Sequence, residues 1–238
     1  MARGRSTLLR DGMPFLHEKQ IEREAQLLLE EYAQSHPWQI SAPIPVDEII
    51  ELHLKLAFGI EDLQALLGVD DVLGAIWFNT KEIRVDIRLD PTNNPHLLGR
   101  YRFTLAHETG HWRLHRQHYV DDPNQGKLFD GRGRPAFICR SSMKPPAEKQ
   151  ADMFAGCLLM PREVLRAAWQ EWRGNLDPVA VQQLPAVTLH AEAKRNENIS
   201  MERFCRPIAD QFQVSAEAMR IRLEKLEFLL REMPNTLF

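Results

Sequence analysis

The stretch RFTLAHETGHW at residues 102–112 constrains the fold of this chain more than any other feature. Two histidines, His107 and His111, stand four apart, with Glu108 directly after the first. On an α-helix positions i and i+4 stack on one face, whereas a strand would hold them about 13 Å apart. The spacing therefore predicts a helix that offers both imidazoles to a single partner. Glu108 projects about 100° around the axis from His107 at roughly 3.6 residues per turn, near that partner without being a natural third ligand. Histidines that hold a Lewis-acidic ion, beside a glutamate that takes a proton from water and passes it to a leaving amine, divide the work of a zinc peptidase. The same pattern arises by chance in roughly a few per cent of such chains, so its surroundings decide its weight.

Upstream, EIRVDIRLD (82–90) alternates Ile83, Val85, Ile87 and Leu89 with charged residues, which predicts a strand with one wet face. VLGAIWFNT reads as its antiparallel partner across a turn at residues 79–81. Asn94 and Pro95 read as the N-cap and first position of the motif helix. Gly110 lies inside that helix, where glycine costs about 1 kcal/mol against alanine; close approach of another segment or loose packing would account for it. Earlier, residues 18–34 and IPVDEIIELHLKL each show helical apolar spacing. Later, residues 119–147 are loop-like, with AFICR as a short strand. Pro145 and Pro146 begin a helix, and Pro161 ends it and begins the next. The end reads as two helices broken at QVS, with Ser215 capping the second.

Catalytic zinc takes three protein ligands, so one more is required. The extended form HExxHxxGxxH would need glycine at 114 and histidine at 117, where the chain has Leu114 and Gln117. His115 stands about 6 Å further along the axis at roughly 1.5 Å per residue, and His118 lies further still; both read better as surface or supporting residues. In AEKQADMFAGCLLMP, Ala151, Phe154, Ala155, Leu158 and Leu159 form an apolar stripe that continues back to Glu148, with Asp152 also inside it. Carboxylates entering a buried stripe need a cation. Glu148 as metal ligand and Asp152 as acceptor of a histidine N–H would satisfy both. An exposed Glu148 in the first turn, complementing the helix dipole, fits the residues equally well.

The chain is long enough, at 238 residues with 44% hydrophobic content, for one sizeable core. A formal net charge of -3 lacks the positive footprint that nonspecific nucleic-acid binding needs. No apolar run reaches membrane-spanning or signal-peptide form, so a cytoplasmic protein is expected. Cys139, Cys157 and Cys205 lack paired spacing and read as buried free thiols.

RFTLAHETGHWRLH, FICR and EKQADMFAGCLLMP, in this order and after IPVDEIIE, resemble the ImmA/IrrE family of metallopeptidases. The likeness covers roughly residues 20 to 165. It implies an α+β, zincin-like metallopeptidase domain with a small antiparallel sheet packed on helices, followed by a C-terminal helix-turn-helix-like segment. It further implies zinc held by His107, His111 and Glu148, with Glu108 as general base. The substrate it implies is a helix-turn-helix transcriptional repressor, cleaved to induce stress-response or mobile-element genes. Asp152 departs from the family's usual asparagine but can still accept the histidine N–H. The expected division is a tail at 1–16, the peptidase domain at 17–172, a linker or insertion at 173–200 and a helical segment at 201–238.

Two rival readings remain. The terminal helix pair could bind DNA, or the zincin domain could be an inactive protein-binding module. Between Arg195 and Arg231 seven Lys or Arg face six Asp or Glu, too even a balance for phosphate contacts, so direct DNA binding is not expected. The hairpin at 72–90 is the expected groove wall for a substrate strand, and Tyr101, Tyr119 and His190 are candidates to stabilise the oxyanion.

Overall fold

The computed structural model describes residues 13–119, 133–140, 145–184 and 193–232, with side chains from 196 onward in the last stretch. The chain divides into two compact units: one takes in the described residues up to Ile40 and Pro45–Leu159, the other Ser41–Ile44 and the residues from Met160 onward.

In the first unit, α1 (Glu18–Ser35) buries Ile21, Ala25, Leu28, Leu29 and Tyr32, the stripe its spacing predicts. The short helix α2 (Val46–Glu48) runs on as a π turn, Ile49–His53, and Lys55 then takes a positive φ of 56° that turns the chain into β1 (Ala57–Glu61). After α3 (Leu63–Leu67) come β2 (Val72–Trp77) and β3 (Glu82–Asp86). The motif helix α4 (Leu98–Leu114), the strand β4 (Phe137–Arg140) and the helix α5 (Pro146–Leu159) complete this unit.

The sheet order is β1-β3-β2-β4. β2 pairs antiparallel with β3, as the sequence suggested, and also with β4, but β1 joins β3 in parallel, so the expected antiparallel sheet is mixed. A parallel neighbour needs a crossover, and α3 with β2 provides it. AFGIE escaped the sequence reading because it shows no alternation; its burial runs exposed, intermediate, intermediate, exposed, intermediate.

β3 also ends sooner than its period-two pattern promised. Asp86, expected on the wet face, is buried, while Ile87, expected inside, is 49% exposed. The Asp86 carboxylate accepts from the backbone N–H of Arg88 and Leu63. It thus caps a 3-10 turn and ties down the start of α3, a better use of a buried carboxylate than strand pairing. Asn94 heads a 3-10 lead-in, Pro95–Leu97, rather than capping α4 itself.

Between the sheet and α5, α4 is buried almost all round: every residue from Thr104 to Trp112 is buried. Two glycines make that sandwich thin. A Cβ on Gly110 would stand 3.2 Å from the Ala151 Cα and the Phe154 Cβ of α5, the close approach its position suggested. On the other side a Cβ on Gly74 of β2 would stand 2.6 Å from the Thr104 Cγ2 of α4.

The second unit contains α6 (Arg162–Arg173), β5 (Val179–Ala180), α7 (Ala193–Phe212), α8 (Ala216–Lys225) and β6 (Leu229–Leu230). β5 pairs in parallel with β6. Ser215 caps α8 as expected, its side chain accepting from the Ala218 N–H. Residues 173–200 contribute β5 and the first turns of α7. The loop segments read at 120–132 lie outside the described residues.

Candidate metal centre

α4 places the imidazoles of His107 and His111 one turn apart, with their Nε2 atoms 3.1 Å from each other. α5 brings Glu148 across to both: one carboxylate oxygen lies 3.0 Å from the His107 Nε2, the other 3.1 Å from the His111 Nε2. Glu148 is buried, not in an exposed first turn, which settles where its side chain goes. Three lone-pair-bearing groups at mutual distances of 3.0–3.1 Å repel unless a cation or proton sits among them. A tetrahedral ion with bonds of about 2.0–2.1 Å would set its ligand atoms roughly 3.3 Å apart, so the cluster fits such an ion.

The electrostatics carry the same demand. Burial opposes charge on His107, yet Cys139, Asp152 and Glu148 raise it well above the ordinary histidine range. Burial would also raise Glu148, but the His107 and His111 rings against its two oxygens bring it down to about 2. Burial lowers His111 to about 3, which keeps its ring neutral and its lone pair free.

Each histidine is held from behind. The His107 Nδ1 lies 3.0 Å from Asp152 Oδ1, so this carboxylate accepts the ring N–H and leaves Nε2 for the cluster. His111 is held differently: its Nδ1 lies 3.0 Å from the His115 Nδ1, whose Nε2 lies 3.1 Å from Gln150 Oε1. The Gln150 amide donates to the Pro14 carbonyl at 3.1 Å. A lone pair on the His111 Nε2 fixes every proton in this chain, each group donating to the next away from the cluster. Both ring nitrogens of His115 are thus turned to His111 and Gln150 rather than to the cluster; His118 is exposed. Phe137 of β4 stacks on the His111 ring at 4.0 Å and 15°.

Glu108 sits beside the cluster, fully buried, and neither of its oxygens has a partner among the described residues. Burial pushes its carboxyl up to about 8. An isolated carboxylate there is costly, and a water or ion is what it lacks. Gly74 makes room for it: a Cβ there would stand 2.8 Å from Glu108 Oε1.

The oxyanion candidates separate. Tyr101 is raised to about 12 by burial and by Asp47, Asp90 and Glu51, away from the cluster. Tyr119 packs edge-on against Phe78 at 5.2 Å and lies 6.3 Å from Phe137, nearer the site. His190 lies outside the described residues. Sequence reasoning missed Gly74, Gln150 and the position of Cys139. Only Gly74 carried a signal, since glycine inside a strand pattern marks close approach.

An α+β core in which a helical His-Glu-x-x-His motif meets a carboxylate from the next helix defines a zincin-like metallopeptidase domain. Residues 58–224 match the family model described as the IrrE N-terminal-like domain, a peptidase family, and the chain belongs to that family. No curated protein matches the sequence.

Proposed function

We propose that the protein is a zinc-dependent endopeptidase whose ion is held by His107, His111 and Glu148. Three neutral-or-anionic donors of this type suit zinc, and the closely gathered donor set beside Glu108, unpartnered among the described residues, is the observation that carries the reading. A zinc ion there would polarise the scissile carbonyl and acidify the attacking water. Glu108 is the general base: its carboxylate takes the proton of that water and hands it to the departing amine. A base near pH 7 is most effective when its affinity for the proton is raised toward the working pH, the direction in which burial moves Glu108. Asp152 and the His115–Gln150 pair keep the two imidazoles in the tautomers that binding needs. Gly74 lets the sheet pass close over Glu108, where a Cβ would stand 2.8 Å from its Oε1 and push it from this position.

The substrate we propose is a helix-turn-helix repressor or similar regulator, a class that comes from the family resemblance. A substrate strand would add along β4. Among the described residues β4 and β1 are the sheet edges, while β2 and β3, the hairpin expected to form the groove wall, are interior. Direct DNA reading by the terminal helices is not part of the proposal. Arg220 and Arg222 of α8 are buried, one held by Glu202 and Glu224 and the other donating to the Met160 carbonyl. No helix among the described residues is long and apolar enough to cross a membrane, and the proposal puts the protein with its substrate in the cytoplasm.

The test is incubation of the purified protein with the repressor encoded beside its gene. Cleavage should require metal, stop with chelator and be lost in Glu108→Gln, which should still bind zinc. Full activity of Glu108→Gln would refute the base assignment.

A further inference from the structure

The sheet delivers a thiol to the same cluster. Cys139 of β4 pairs with Gly74 of β2, and residues directly opposite in antiparallel strands present their side chains on one face. On that face a Cβ at Gly74 would meet Glu108 and Thr104, so it is the face against α4. Cys139 is 7% exposed, and its Sγ lies within 4.8 Å of ligand atoms of both His107 and Glu148. A second observation points to a ligand in this space. Glu108, buried beneath Gly74, has two oxygens without a partner among the described residues.

We propose that Cys139 is a fourth protein ligand, closing the coordination sphere of the ion in the resting protein and making the peptidase latent. The inference rests on the metal site proposed above. His107, Glu148 and Cys139, joined by His111 at 3.1 Å from the first two, would make the closed, four-ligand set of structural zinc sites, whereas a catalytic site keeps one position for water. Thiolate and water exclude one another there. Cleavage then requires the metal–sulfur bond to break, the thiolate to take a proton from solvent, and a water to enter the position it leaves. The thiolate also narrows the choice of ion, favouring thiophilic zinc, cobalt or cadmium over magnesium or manganese.

The test uses the full chain loaded with Co²⁺. Wild type should bind one cobalt and show a near-ultraviolet thiolate-to-cobalt charge-transfer band. Cys139→Ser should lose that band while retaining the cobalt. A variant-free measurement runs beside it: alkylation of Cys139, mapped by mass spectrometry, should proceed in metal-free protein and be suppressed by cobalt. A cobalt-bound wild type without the band, or a band that persists in Cys139→Ser, overturns the proposal; so does alkylation of Cys139 at the same rate with and without cobalt. Failure to bind cobalt at all would remove the metal reading itself, and the inference with it.

Discussion

Gly74→Ala isolates how tightly the sheet is fitted to the motif helix. The added methyl would stand 2.6 Å from the Thr104 Cγ2 and 2.8 Å from Glu108 Oε1. Neither neighbour has open space to move into: Thr104 is 2% and Glu108 0% exposed, both on a helix enclosed on two sides. Forcing a methylene into such a core costs about 1–3 kcal/mol. For a domain of about 150 residues each kcal/mol moves the midpoint by about 2–4 °C, so the unit holding the site should melt roughly 2–12 °C lower. Calorimetry on wild type, Gly74→Ala, Thr104→Ser and Gly74→Ala/Thr104→Ser measures this. The serine removes the Cγ2 methyl, so the double variant should be more stable than the two single costs summed. Cleavage should fall with Glu108 displaced, while bound metal stays, because the added methyl meets Thr104 and Glu108 rather than His107, His111 or Glu148. A Gly74→Ala protein with unchanged midpoint and unchanged cleavage would refute the reasoning.

Other consequences can be checked separately. In metal-free protein Glu108 holds its proton up to about 8 against an ordinary value of 4.5, so its contribution to stability is full below pH 4.5 and lost as pH rises toward 8. His111, lowered to about 3, acts in the opposite sense up to its ordinary 6.5 and masks the effect there. Urea unfolding of chelated protein should therefore show stability falling between pH 6.5 and 8, and Glu108→Gln should remove about 2 kcal/mol of that fall; an identical fall in both proteins would count against the buried, unpartnered carboxyl. Gln150→Leu takes away the acceptor of His115, and loss of such outer support typically weakens metal binding about 10–100-fold. A chelator competition titration reads it, and unchanged affinity would show that the relay from His111 to Pro14 does not hold the ring.

The local signals legible in the sequence share one property: each is carried by spacing along a single element. His107 and His111 announce themselves by helical period, whereas the apolar stripe one turn on left Glu148 open between a buried and an exposed place. The stripe from Ala151 to Leu159 is buried as its period requires. What escaped depends on which elements become neighbours. Gly74 and Cys139 lie opposite each other only because β2 and β4 pair, and Gln150 reaches His115 only because α4 and α5 pack at Gly110. Asp86 misled because perfect alternation says nothing of a carboxylate that finds two backbone donors and ends the strand. β1 left no trace because a parallel edge strand without a buried face has no period to show.

Metal content after equilibration with zinc tests the central assignment most directly. Wild type and Glu108→Gln should each retain one zinc per chain, while His111→Ala and Glu148→Ala should retain well below one. Zinc held at full stoichiometry by either ligand variant would contradict the site.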